Sequence, residues 1–184
     1  MSIKKIMLPE VTPYLWQIDN FLRPNECTAL INLALAHGFE QAGVRTSQGY
    51  VPMQAVRNNS RCQLAHPAWV QQLWQRLVHY DLPIIEQKQA VGLPRELRFY
   101  QYEPNQRFKM HKDGAWFEDG LQSELTFLVY LNDDCQGGET LFKTFSVSPK
   151  QGTAVLFKHA TWHEGAVVSA GRKYVLRSDV LYQA

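Results

Sequence analysis

The sequence predicts a mainly β, α+β fold in which helices from the first half support a strand-built sandwich or barrel from the second. Three observations carry this. Residues 1–95 contain two segments with helical apolar spacing; beyond residue 95 short runs of β-branched and aromatic residues take over; and turn residues separate those runs at close intervals. At 184 residues the chain is large enough for one substantial core. No internal repeat, low-complexity tract or Pro/Gly-rich linker divides it, so a single domain over residues 1–184 is expected.

The first helix is expected to begin at Pro24, whose fixed φ suits a first helical position, and to end at Gly38. Cys27, Leu30, Ile31 and Ala34 form its apolar stripe. The second begins at Pro67, with Val70, Leu73, Trp74, Leu77 and Val78 facing a core and Pro83 closing the segment. The run Leu97 to Tyr102 is rich in strand formers, although Leu97, Phe99 and Gln101 oppose Arg98, Tyr100 and Tyr102 imperfectly. Leu125 to Leu131 is a continuous apolar run, suited to a strand buried on both faces. Asn132-Asp-Asp134 and Gly137-Gly138 read as turns, and Thr153 to Phe157 and Tyr174 to Leu181 as further strands.

Composition narrows the function classes. Nineteen basic and 17 acidic residues give a net charge of +2, without the basic stripe that nucleic-acid binding would need. Pro9 and Glu10 interrupt any signal-like apolar run, and no segment approaches the roughly 20 apolar residues of a membrane span. Cys27, Cys62 and Cys135 are scattered and odd in number, which favours reduced thiols and a cytoplasmic location over a disulfide framework or zinc cluster.

The chemistry-bearing pattern is His111-Lys-Asp113 followed by His163, Lys173 and Arg177. Residues two apart on a strand share a face, so His111 and Asp113 are expected to project together from one strand, with His163 arriving from another. Two histidines and a carboxylate leave half of an octahedral shell open, which suits non-haem Fe(II). A double-stranded β-helix (jelly roll) brings an early ligand pair and a late ligand together at the barrel mouth. His-x-Asp alone is weak, because a surface strand with a solvated His and Asp explains it equally well; the combination with the downstream residues is what makes it specific.

Residues 98–182 resemble the catalytic core of the Fe(II)- and 2-oxoglutarate-dependent dioxygenases, in the prolyl 4-hydroxylase-like branch. The matching pieces are Tyr100-Gln-Tyr102, Phe108-Lys-Met-His111-Lys-Asp113, Phe127-Leu-Val-Tyr130-Leu-Asn132, Gly137-Gly-Glu139-Thr, and His163-Glu-Gly165 through Gly171-Arg-Lys173. The resemblance implies a jelly-roll catalytic core over 96–184, with 1–95 as helical support and substrate-side loop. It implies His111, Asp113 and His163 as iron ligands and 2-oxoglutarate and O2 as co-substrates, with ascorbate a candidate reductant. Lys173 would pair with the distal carboxylate of 2-oxoglutarate, in preference to Arg172, which strand alternation puts on the opposite face. Arg177 would be a second contact or a structural ion-pair partner. Tyr130 would donate its hydroxyl to the same carboxylate, with Tyr102 the weaker candidate. Glu139 is expected to be structural, and His159 a polar neighbour of the site.

Substrate selection is expected from Gly43 to Arg61, a polar lid or strand-loop carrying Arg45, Tyr50, Arg57, Asn58, Asn59 and Arg61, and from Trp116 and Phe117 near the entrance. Arg61, Asn59 and Trp116 are the substrate-contact candidates. The leading function is hydroxylation of a prolyl residue in a protein or peptide; the alternatives are hydroxylation of a free amino acid or other small molecule, and a non-catalytic metal-binding jelly-roll module. A nucleic-acid substrate is disfavoured because that branch places paired arginines further downstream, whereas Arg177 is the last arginine here.

Overall fold

The computed structural model describes residues 5–184, apart from the side chains of Arg45 and Tyr50. The expectations placed on those two side chains therefore fall outside the described residues. Two sheets face each other. The larger runs, in order, through Glu10–Thr12, Leu15–Ile18, Ala154–Lys158, Leu121–Tyr130, Lys173–Gln183, Glu96–Tyr102, Ser60–Ala65 and Glu40–Gln41. The smaller runs through Phe108–His111, His163–Gly165, Thr140–Phe142 and Ser146–Val147. All pairings within these two sheets are antiparallel, as a jelly roll requires.

Strand alternation divides the core in two. Leu97, Phe99, Leu125, Phe127, Val129 and Leu176 point away from the smaller sheet and pack with Cys27, Leu30 and Ala34 of helix α1 (Pro24–His37) and Leu73 and Leu77 of helix α2 (Pro67–Leu77). Tyr100, Tyr102, Leu128, Tyr130, Val155 and Val175 point inward, towards Phe142 and Val147 of the smaller sheet. This explains the poor alternation of Leu97 to Tyr102: both faces are buried, one against helices and one inside the barrel. Arg98 is buried on that second face by register with Arg177.

The helix ends follow their local chemistry. Glu26 accepts a hydrogen bond from the Arg23 N–H at 2.8 Å, and Arg76 of α2 is paired with the same carboxylate, tying the two helices together. Gly38, at φ 97°, donates its N–H to the Ala34 carbonyl and stops α1. Helix α2 ends at Leu77, before the expected Val78, because the chain turns into Tyr80–Asp81 to pair with Ile6–Met7.

Residues 1–95 are more than helical support. Leu15–Ile18 and Ser60–Ala65 are integral strands of the larger sheet, and each was too short to register as a periodic segment. The 43–61 stretch is a hairpin, Val44–Thr46 with Gly49–Val51, followed by a turn that docks on the smaller sheet. There Arg57 bridges Phe108, and the Lys109 N–H donates to the Val56 carbonyl at 2.9 Å.

Candidate metal and co-substrate site

His111 and His163 are register partners on adjacent strands of the smaller sheet. Asp113 is not on a strand: the Phe108–His111 strand ends at His111, and Asp113 lies in the following loop, where its N–H donates to the His159 carbonyl at 3.0 Å. The shared-strand-face argument for His-x-Asp therefore fails, because the chain leaves the smaller sheet immediately after His111. The loop brings the three side chains together all the same, with one ligand atom from each lying within 4.8 Å of the others.

Hydrogen bonding fixes which nitrogens face inward. His111 Nδ1 is 2.7 Å from the Lys109 carbonyl and His163 Nδ1 is 3.0 Å from the Thr161 carbonyl. A carbonyl only accepts, so each Nδ1 carries the proton and each Nε2 keeps its lone pair. Those Nε2 atoms lie 3.6 and 3.5 Å from the two Asp113 oxygens. Burial lowers His163 to about 4, so it is neutral at pH 7, as a ligand must be. Burial alone would raise the Asp113 carboxyl, but Arg177, His163 and His111 outweigh it and hold the group well below the usual carboxylate range. Two neutral nitrogens and one carboxylate fit a divalent first-row metal with open coordination positions.

Beside these residues an inner slot is walled by Tyr100, Tyr102, Thr140, Lys173 and Val175. Lys173 is 2 % exposed, and its ammonium donates to the Gly138 carbonyl and lies 5.0 Å from the Tyr102 ring centroid. It pairs with no carboxylate among the described residues, and burial pushes it down to about 8. Gly138, at φ +75°, makes room for it: a Cβ there would sit 3.0 Å from Lys173 Cδ. A buried cation without a counter-ion is costly, and a dicarboxylate in the slot would supply one. Arg172 points the other way, 3.0 Å from Glu103 with an exposed side chain.

The family model of the 2OG-Fe(II) oxygenase superfamily matches residues 97–178. Prolyl 4-hydroxylase 1 of Arabidopsis thaliana is 32 % identical over 182 residues, covering 81 % of this chain and 60 % of that protein. By the family-model match, residues 97–178 form a 2OG-Fe(II) oxygenase domain. Its relatives place it in the prolyl 4-hydroxylase-like branch; a second, probable prolyl 4-hydroxylase 10 of the same plant, is 28 % identical over 84 % of this chain and 64 % of its own length. The chain thus spans a little under two thirds of the length of these two relatives. The fold is shared with a viral collagen prolyl hydroxylase of Paramecium Bursaria Chlorella virus-1 (TM-score 0.64, 23 % identity, 91 % of this chain and 96 % of that one). It is shared also with a Pseudomonas putida prolyl-4-hydroxylase (TM-score 0.69, 18 % identity, 91 % and 92 %).

Against this oxygenase frame, several expected contacts are redistributed. Tyr102 lines the slot, whereas Tyr130 is fully buried behind it and donates its hydroxyl to Thr140 Oγ1 at 2.6 Å. Thr140, not singled out by sequence, thus stands between Tyr130 and the slot. Arg177 lines the slot but is held by carboxylates, Asp113 at 3.2 Å and Asp179 at 3.0 Å, which makes it an ion-pair partner of Asp113. Asn59 is fully buried, accepting from Arg57 Nε and donating to the Ser60 carbonyl, so its role is internal. Arg61 lies 3.3 Å from Glu40 on the Ser60–Ala65 strand, outside both cavities at the metal residues. Trp116 does line the outer cavity, with Arg98 over its ring at 5.0 Å, while Phe117 is exposed.

Sequence reading missed the polar cluster behind His111, Asp113 and His163. Thr126 donates to Asp113 Oδ2 at 2.6 Å and lies 2.9 Å from His159 Nδ1; His159 Nε2 lies 2.7 Å from Ser123. The His159 ring thus reaches Asp113 only through Thr126, while its carbonyl holds the Asp113 N–H, which makes His159 a structural neighbour. Arg98 and Arg177 share the fully buried Asp179. The spacing of Arg177 and Asp179 on one strand face was visible, but their pairing with Arg98 depends on strand register.

Lys173→Ala is expected to raise the Kd for 2-oxoglutarate by roughly 10–100-fold, the loss of a buried charge-assisted contact of about 1.5–3 kcal/mol. Arg172→Ala should leave it within about two-fold. In the wild type the amine must be protonated to pair with the carboxylate, so kcat/KM for 2-oxoglutarate should fall as pH rises through about 8. Anaerobic titration checks the first two expectations and steady-state kinetics the third.

Proposed function

We propose that this chain is an Fe(II)- and 2-oxoglutarate-dependent dioxygenase that hydroxylates an unactivated C–H bond of a prolyl residue in a peptide or protein. The observation that carries the oxygenase reading is a His-Asp-His face, half-buried at His111 and Asp113 and buried at His163, beside a buried lysine that has no carboxylate partner among the described residues. When bound, Fe(II) and 2-oxoglutarate activate O2 and supply the oxidant, with succinate and CO2 as by-products. The chain's own residues hold and orient. His111, Asp113 and His163 would hold the metal through Nε2 and carboxylate oxygens; Lys173 would pair with the distal carboxylate of 2-oxoglutarate, with Tyr102 and Thr140 on the wall. Phe108 stacks on the His111 ring at 3.5 Å and covers one of its faces.

The prolyl substrate rests on the relatives, several of which carry the name prolyl 4-hydroxylase. A peptide partner rests on the solved Trichoplax adhaerens prolyl hydroxylase, which is in complex with a hypoxia inducible factor oxygen degradation domain peptide fragment and matches at TM-score 0.69 and 18 % identity. Ascorbate as reductant rests on family resemblance alone. A cytoplasmic location rests on the three unpaired cysteines, with burial pushing Cys27 and Cys62 up to about 11. The test is anaerobic addition of Fe(II) and 2-oxoglutarate, read as a visible charge-transfer band, followed by O2 and measurement of succinate. Proline-containing peptides should then gain one oxygen by mass spectrometry. Absence of both band and succinate sinks the oxygenase reading; succinate without hydroxylated proline sinks only the substrate.

A further inference from the structure

His111 and Asp113 also face a second, larger cavity of about 160 Å³, on the side lined by Gly43, Val44, Val56, Arg57 and Trp116. Its charge is one-sided. Arg57, Arg98, Lys112 and Arg177 line it, and Asp113 is the only carboxylate on its wall among the described residues. Arg98 and Arg177 are compensated by Asp179 and Asp113. Arg57 is not. It is 5 % exposed, and no carboxylate of the described residues forms an ion pair with it. Its Nε donates to Asn59 Oδ1 at 2.8 Å and one terminal nitrogen to the Gly43 carbonyl at 3.3 Å. The other terminal nitrogen is buried and has no hydrogen-bond partner among the described residues.

The surroundings hold this guanidinium rigidly without neutralising it. Its carbon lies 4.5 Å from the Tyr100 ring centroid and 4.4 Å from that of Phe108, and Phe108 in turn stacks on His111. Cation–π contacts of this kind offset part of the desolvation of the charge, but none replaces an anion. Asn59 occupies the place where an aspartate would complete a structural ion pair; its amide offers an acceptor and no charge. The electrostatic effect reaches Tyr100: burial would raise its phenol, yet Arg57, Arg177 and Arg98 bring it down to about 8. A preorganised guanidinium with a free N–H, one ring away from a metal ligand, suits bidentate or single-point capture of a carboxylate. Lys173 sits in the other cavity, so the two cations would serve two different acids.

Resting on the oxygenase reading above, we propose that Arg57 is the substrate anchor of this site, and that the substrate class is one bearing a carboxylate close to the hydroxylated carbon. A free amino acid, a C-terminal residue or a residue next to an aspartate or glutamate would meet that requirement; a neutral internal segment would not.

The test uses the full chain loaded with Mn(II) and saturating 2-oxoglutarate under anaerobic conditions, titrated calorimetrically with N-acetylproline, N-acetylleucine and N-acetyllysine and with the three matching amides. The wild type should bind at least one acid about tenfold or more tighter than its amide. Arg57→Gln should abolish that preference. Asn59→Asp, which gives Arg57 an internal carboxylate, should reduce it several-fold without removing the guanidinium, so a folding defect of the first variant does not decide the matter. Equal binding of acids and amides, binding of none, or a preference that survives both substitutions overturns the proposal. Adding O2 and assaying succinate and hydroxylation separates the two readings: a carboxylate preference with no hydroxylated proline leaves Arg57 in place and removes the prolyl substrate. Hydroxylation of acidic and neutral proline peptides at equal kcat/KM removes Arg57 and leaves the prolyl substrate.

Discussion

Asp113→Ala is expected to abolish both the charge-transfer band and succinate formation, and to do so without unfolding the protein. The carboxylate is the only anionic member of the ligand set, so its loss removes charge neutralisation and one of three contacts to the metal. Replacing a supporting partner of a ligand typically costs 10–100-fold in metal affinity or activity, and loss of the ligand itself should exceed that range. Folding should suffer less, because Arg177 keeps Asp179 at 3.0 Å and Thr126 keeps His159 at 2.9 Å. The measurements are anaerobic absorption, succinate release and a thermal melt. Normal turnover in the variant would remove Asp113 from the ligand set. Thr126→Val offers a graded comparison: it removes the 2.6 Å hydrogen bond to Asp113 Oδ2 and leaves the carboxylate, so activity should fall but persist.

What was legible in the sequence is what depends on spacing along one segment. The helices at Pro24 and Pro67, the doubly buried run after Leu125 and the His111-x-Asp113 pair all show in local pattern, while His163 joined that pair through the family resemblance. The rest depends on which strands lie side by side. Arg98 looked like an alternation defect until register placed it opposite Arg177, and Asp179 became its partner only through that pairing. Tyr130 and Tyr102 are both inward-facing tyrosines, and nothing local tells which one has Thr140 in front of it. Asn59 read as a polar loop residue because a turn sequence gives no sign that a neighbouring arginine will be stacked between Tyr100 and Phe108. Asp113 shows the converse: the ligand was identified through a strand geometry that the chain does not adopt there.

Arg177→Leu is expected to have the largest effect on stability. The guanidinium is 6 % exposed and forks between two carboxylates, Asp113 at 3.2 Å and Asp179 at 3.0 Å, with Thr126 at 3.3 Å. Removing one partner of a buried pair leaves an uncompensated charge and costs about 3–5 kcal/mol. In a domain of this size that corresponds to a fall in Tm of roughly 10 °C. Arg177→Lys keeps the charge but cannot span both acids, so it should lie between wild type and leucine. The penalty carries a pH signature. In the wild type Asp113 is held below its ordinary range, so its contribution to stability is present above the unfolded carboxylate pKa and is lost as pH falls through the folded one. Without Arg177, burial should raise the Asp113 carboxyl, which then protonates in mildly acidic solution and relieves the strain of an unpaired charge. The Tm gap between variant and wild type should therefore narrow on acidification. It should narrow also when Mn(II) is added at neutral pH, since a divalent cation on His111, Asp113 and His163 replaces the positive charge that Arg177 supplied to Asp113. A gap unchanged by both acid and Mn(II) would show that Arg177 stabilises the fold by packing, and that the carboxylate it touches is not part of a metal site.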